Sequence, residues 1–239
     1  MSYQSVFKRY EIKFMLTKEQ KNSIIKAMSP YMCLDDYGRT TIRNIYYDTD
    51  SYLLIRRSIE KPVFKEKLRI RSYKKVSSDE NVFVELKKKY KGVVYKRRLA
   101  LPEKDAVEWI KNGSFPFTQC QISNEIDYFI NYYQSLKPSV FLSYEREAFY
   151  DISGSDFRVT FDDNIISRKE ELSLCNDVWG SPLLKENYTL MEIKTSGGIP
   201  LWMTHLLTEM KLFKTSFSKY GNVYTTTILG ERKGEYLYA

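Results

Sequence analysis

The sequence predicts an α+β fold in which antiparallel strands dominate and helices are attached to them. Three observations carry that reading. Runs rich in Tyr, Val, Ile, Phe and Thr recur along the chain and read as strands. Three of those runs repeat an acid, an apolar residue and a base: Glu11-Ile12-Lys13, Glu85-Leu86-Lys87 and Glu192-Ile193-Lys194. Between the strands lie segments with apolar residues at helical spacing, and Gly/Pro/Ser-rich linkers and fixed-period repeats are absent.

Strands are predicted at about residues 6–15, 40–48, 63–75, 81–90, 92–101, 139–150, 156–168, 187–195 and 221–229. Tyr90-Lys91-Gly92 and Ile152-Ser153-Gly154-Ser155-Asp156 supply turn residues between neighbouring runs. Thr17-Lys18-Glu19-Gln20 reads as a capping box that opens a helix reaching about Ser29. Pro102 begins a second helix, with Ala106, Trp109 and Ile110 on one face and Gly113 as its stop. Ile122, Ile126, Phe129, Ile130 and Tyr133 mark a third, and Met203, Leu206, Leu207 and Met210, entered through Pro200, a fourth. Residues 169–186 read as a long loop. The whole of 1–239 reads as one domain.

Composition narrows the function classes. The 239 residues are 43% hydrophobic and 28% charged, as in a globular protein that buries a substantial core. The net charge of +8 favours an anionic partner without choosing one. Cys33, Cys120 and Cys175 are odd in number and lack metal-ligand spacing, so they read as free thiols in a reducing, cytoplasmic setting. No signal peptide or membrane span is evident. His205, beside the apolar stripe of its helix, is the one histidine, which removes histidine-based triads and most zinc sites. Glycine-rich P-loop and dinucleotide motifs are missing, and Ser196-Gly197-Gly198 reads as a turn. Lys87-Lys88-Lys89-Tyr90-Lys91 reads as the solvated end of a hairpin sooner than as a nucleic-acid contact.

Alternate side chains of a strand share a face. One parity collects Lys13, Arg69, Arg71, Lys87, Lys96, Arg98, Arg146, Arg158 and Lys194 with Glu11, Glu85, Asp162 and Glu192, nine bases against four acids. Such a parity fits a solvated sheet face. It fits equally a closed sheet with its charges turned inward and its apolar parity (Leu68, Ile70, Leu86, Ile193) packed under helices. The excess of arginine favours phosphate, whose oxygens match the guanidinium fork.

Taken in order, the motifs run Arg9-Tyr10-Glu11-Ile12-Lys13, Asn44-Ile45-Tyr46-Tyr47-Asp48-Thr49, Lys67-Leu68-Arg69-Ile70-Arg71 and Val82-Phe83-Val84-Glu85-Leu86-Lys87. They continue through Tyr95-Lys96-Arg97-Arg98, Ser143-Tyr144-Glu145-Arg146, Arg158-Val159-Thr160-Phe161-Asp162, Met191-Glu192-Ile193-Lys194 and Ser218-Lys219-Tyr220. This order resembles the polyphosphate polymerase domain of the vacuolar transporter chaperone (VTC) family, in the CYTH-like triphosphate tunnel metalloenzyme superfamily. The resemblance implies an antiparallel β-barrel, a tunnel with a polar, basic interior and helices packed outside. It implies that Lys13, Arg69, Arg71, Lys87, Lys96, Arg98, Arg146, Arg158 and Lys219 grip phosphates, joined by Lys194 of the same parity. Glu192 would be the principal ligand of Mn2+ or Mg2+, with Glu11 and Glu85 as helpers. Two departures stand out: Ser216 occupies a position where a further lysine is expected, and the chain has no room for a phosphate-sensing domain or membrane helices. A free-standing, bacterial-type member is implied.

The implied activity is polyphosphate polymerisation: transfer of the ATP γ-phosphate to inorganic phosphate or a growing chain, with Arg69, Arg71, Lys87, Lys96, Arg146 and Arg158 spreading the developing charge. A tripolyphosphatase or nucleoside triphosphatase would use the same site with water as acceptor. A non-catalytic polyphosphate-binding module is a third reading, against which a carboxylate such as Glu192 among the cations speaks. Partners on all readings are ATP, phosphate, polyphosphate or tripolyphosphate, with no specific nucleic acid and no transmembrane segment. Any membrane-protein partner is left unidentified.

Overall fold

A computed structural model describes residues 6–230. The predicted span 1–239 extends beyond them at both ends. Ten strands follow in order: β1 (Val6–Thr17), β2 (Met32–Asp48), β3 (Phe64–Ser72), β4 (Asn81–Tyr90), β5 (Val93–Pro102), β6 (Lys137–Asp151), β7 (Arg158–Arg168), β8 (Ser181–Pro182), β9 (Tyr188–Thr195) and β10 (Lys214–Thr215). Six helices are interspersed: α1 (Lys18–Met28), α2 (Leu53–Ile59), α3 (Glu103–Asn112), α4 (Gln121–Tyr133), α5 (Leu201–Glu209) and α6 (Lys219–Val223). A π-helical turn, Tyr224–Ile228, prolongs α6.

All pairings are antiparallel, and they run in a cycle: β1, β5, β4, β3, β2, β6, β7 and β9, which returns to β1. The last link makes the ring. Glu11 pairs with Lys194 and Lys13 with Glu192 across β1 and β9, while Arg158 pairs with Lys194 and Thr160 with Glu192 across β7 and β9.

The apolar parity packs on the helix side. Leu68, Ile70, Val84 and Leu86 share one buried cluster with Trp109 and Ile110 of α3 and Ile126 and Phe129 of α4. Val159, Phe161, Met191 and Ile193 share another with Ile24 and Met28 of α1 and Met203 and Leu207 of α5. Each of these helices covers one patch of the ring with its apolar stripe.

Local signals behave as their chemistry dictates. Thr17 Oγ1 accepts the Gln20 N–H at 3.2 Å, and Gln20 Oε1 accepts the Thr17 N–H at 2.9 Å, completing the capping box of α1. α3 stops at Gly113, which adopts φ +71° and donates its N–H to Trp109 O. Residues 169–186 form a loop apart from β8, and Arg168 holds it by donating to the carbonyls of Glu170, Glu171, Asp177 and Trp179.

Two expectations are corrected, and one helix, α2, has no counterpart in the sequence reading. β2 begins at Met32, eight residues before the predicted start, because Met32, Cys33, Leu34 and then Arg39 pair with β6 on either side of a register shift. α2 was not predicted, since no capping side chain immediately precedes it. Asp48 supplies the cap from farther back, accepting the Leu54 and Ile55 N–H groups at 2.9 and 3.0 Å. The predicted strand 221–229 is helical. Its β-branched residues favour a strand, but Tyr220, Val223, Tyr224 and Ile228 are buried at helical spacing against Tyr46, Ile55 and Leu142. Ser218 Oγ caps the turn by accepting the Gly221 N–H.

Candidate polyanion site

The parity opposite the apolar one meets in a single cavity of about 1030 Å³. All ten basic residues predicted from the sequence line it: Lys13, Arg69, Arg71, Lys87, Lys96, Arg98, Arg146, Arg158, Lys194 and Lys219. Strand alternation delivers them, two from β3, two from β5 and one each from β1, β4, β6, β7 and β9, with Lys219 from the first residue of α6.

Two carboxylates organise most of these cations. Glu85 is fully buried. It accepts from Arg69 Nε at 2.8 Å, Lys96 Nζ at 3.2 Å and Arg98 Nε at 2.7 Å, with Arg71 Nε at 3.8 Å. Burial opposes its charge, yet Arg71, Arg69, Lys96 and Arg98 hold it well below the usual carboxylate range. Arg71 donates to Asn44 Oδ1 at 2.9 Å and to Tyr144 Oη at 3.0 Å, and Arg69 to Tyr46 Oη at 2.9 Å, so both guanidinium planes are fixed before any ligand arrives.

Glu192 sits among four cations at looser distances: Lys13 at 3.2 Å, Lys194 at 3.1 Å, Arg146 at 3.3 Å and Lys219 at 3.4 Å. Burial opposes its charge too, but Lys219, Lys13, Lys194 and Arg146 depress it well below the ordinary value. Asp162, behind them, binds Arg146 through both oxygens at 2.6 and 2.7 Å and also accepts from Lys219. Glu11 receives Lys87; burial opposes its charge, but the charge and hydrogen bond of Lys87 together with the charge of Lys194 bring the carboxyl down to about 2.

Cations still exceed acids. Burial lowers Lys96 to about 6, with Glu85 opposing. Burial, then the charges of Lys13 and Lys87, lower Lys67 to about 7. Burial and Arg146 lower Lys194 to about 7. Arg158 lies at the rim, its side chain 44% exposed and 4.0 Å from Asp35.

Among the described residues no three His, Cys, Asp or Glu side chains form a metal cage. Glu11 and Glu192 line the cavity, whereas Glu85 does not. The cavity carboxylates thus suit an ion that takes most of its ligands from phosphate and water, as Mg2+ commonly does.

Lys65, Lys67 and Lys89, with Arg9, Tyr46, Tyr73 and Tyr144, also line the cavity and were not among the predicted ligands. The lysines were legible: Lys65 and Lys67 continue the parity of Arg69, and Lys89 that of Lys87. The tyrosines carry no such signal, because strand tyrosines serve equally as core. Ser216 lines the cavity as well. Beside it, Lys13 donates to Phe217 O and Lys67 to Ser218 Oγ.

A family model described as the VTC domain matches residues 8–228. No curated protein matches the chain. Two solved structures share its fold at a TM-score of 0.56. One is a candidate adenylate cyclase from Bacillus halodurans, 16% identical, with 90% of this chain and 96% of that one covered. The other is a candidate adenylyl cyclase from Hippeastrum described as having a dominant triphosphatase activity, 18% identical, with 91% and 95% covered.

Proposed function

The chain belongs to the VTC domain family, and on that premise we propose that it is a metal-dependent polyphosphate polymerase whose ring of strands works as a phosphate tunnel. The observation that carries the reading is the convergence of ten predicted basic side chains on one cavity whose lining carboxylates are Glu11, Asp35 and Glu192. Cations held this close repel one another, and a linear polyanion relieves that repulsion.

Each group has a part in phosphoryl transfer. Arg69, Arg71, Lys96 and Arg98 share one carboxylate, so they retain net positive charge for the γ-phosphate oxygens, and the tyrosine and asparagine contacts aim Arg69 and Arg71 in advance. Arg146, Lys219, Lys13 and Lys87 align the acceptor, inorganic phosphate or a chain end, for in-line attack. Lys194, whose Nζ donates to Thr160 Oγ1 at 2.7 Å, adds a further cation beside that acceptor. Glu192, with Glu11 beside it, would hold Mn2+ or Mg2+, which supplies charge neutralisation on the phosphate oxygens. Glu85 is left out of this metal set, since it does not line the cavity.

Purified protein incubated with ATP and Mn2+ or Mg2+ should yield polyphosphate chains resolvable on a gel. Phosphate release without polymer, at every phosphate concentration, would replace this reading with the second one. That second reading is a triphosphatase, with water as acceptor at the same site, and the fold shared with the Hippeastrum protein supports it. No described helix is long and apolar enough to cross a membrane.

A further inference from the structure

The two ends of the cavity differ in chemistry. In the register of β3 and β4, Arg69 faces Glu85, so the cation there has an acid opposite it. One rung farther Lys67 faces Lys87, and at the next Lys65 faces Lys89. Directly opposed strand residues lie on one face, and like charges there destabilise the sheet. Both rungs line the cavity. Lys87 has Glu11, but among the described residues no carboxylate lies within ion-pair distance of Lys65, Lys67 or Lys89, and the nearest polar partners are Ser58 O for Lys65 and Ser218 Oγ for Lys67.

Side-chain type changes along the same line. The end built on Glu85 is arginine-rich, and its guanidinium groups are locked by hydrogen bonds. Toward the other end the cavity-facing rungs of β3 and β4 carry lysine alone. A locked, bidentate guanidinium suits a phosphate that must be held in one place while it reacts. A lysine is a compact charge on a flexible stem, and it re-forms equivalent contacts as an anionic chain slides past. The two rungs span about 7 Å along the strand, the reach of a few phosphate units.

We propose that the Lys65/Lys89 end is a chain track: it holds units of a linear polyphosphate beyond those engaged in transfer and gives the protein a preference for long chains over tripolyphosphate. The proposal rests on the reading of the cavity as a phosphate tunnel and adds to it a direction.

The test is equilibrium binding of tripolyphosphate and of a long polyphosphate of defined length, by calorimetry on the full chain. Removing both charges with Lys65→Gln and Lys89→Gln should lower affinity for the long chain about tenfold, two part-exposed ion pairs' worth. Tripolyphosphate affinity should change less than about twofold, which also reports that the variant is folded. Lys88→Gln with Lys91→Gln removes two charges from the same hairpin at positions that do not line the cavity, and should leave the ratio of affinities unchanged. The track is overturned if the Lys65/Lys89 variant keeps the wild-type ratio, if both ligands weaken equally, or if the Lys88/Lys91 variant lowers the ratio as much. Wild-type protein that binds neither ligand would overturn the tunnel reading itself, and the track with it.

Discussion

Glu85 and Glu192 occupy the same position in the same three-residue motif, yet their surroundings give them opposite duties. Glu85 has no exposed surface and accepts from three basic side chains, with a fourth nearby, so it neutralises the arginine group from behind. Glu85→Gln should cost about 3–5 kcal/mol of stability, because it leaves buried cations without their counter-charge. Chemical denaturation measures this directly, and a change below about 1 kcal/mol would contradict the assignment. Glu192→Gln should behave differently. Tripolyphosphate binding in chelator should persist or tighten, since a repelling carboxylate is gone. Metal-stimulated turnover should fall on the order of a hundredfold. Unchanged metal activation in Glu192→Gln would remove Glu192 from the ion's ligands. That the motif contains a glutamate is plain in the sequence; which glutamate faces the cavity depends on the neighbours that folding brings.

At the scale of elements, turns and caps were legible where their chemistry is local. Lys91 and Gly92 join β4 to β5 with φ of 45° and 86°, the two-residue left-handed turn that suits hairpin twist. A methyl at Gly92 would meet nothing within 4 Å, so the cost of Gly92→Ala is backbone strain alone. It should lower stability by about 1 kcal/mol, read from the denaturation midpoint. The start of α2 and the helical form of residues 219–228 were not legible, because both depend on Asp48. Its carboxylate caps α2 and accepts from Tyr220 Oη at 2.9 Å, fixing the turn that carries Lys219 into the cavity. Asp48→Ala leaves two helix N–H groups without their acceptor and takes one of two partners from the Tyr220 hydroxyl, which keeps Ser139 Oγ at 2.8 Å, and should cost about 3 kcal/mol. It should also weaken tripolyphosphate binding.

For the whole molecule, crowding cations into one cavity sets a pH dependence whose sign can be worked out. Lys67 and Lys194 stand at about 7 and Lys96 at about 6 in the folded chain, against 10.5 ordinarily. Between about pH 7 and 10 the unfolded chain therefore binds more protons, and stability rises with pH. The melting temperature of the unliganded protein should climb from about pH 6.5 to 9. A phosphate chain restores the lysine charges, so its binding takes up protons, and the melting-temperature increment it gives should shrink over the same interval. A flat profile without ligand would mean that the three lysines are better solvated than the structure has them.

The alternation of charged and apolar residues, most of the strands, four of the helices and nine of the ten basic positions follow from local spacing in the sequence, whereas Lys219 follows only from the family resemblance. The sequence left open which way the charged parity faces, since a solvated sheet and an inward-turned one carry the same pattern. Tertiary structure decided that. The pairing of β9 with both β1 and β7 closes the cycle of strands, and the apolar stripes of α1, α3, α4 and α5 cover the outward parity. With that surface buried, the charged side chains meet one another, and their repulsion and the few shared carboxylates set the properties of the cavity.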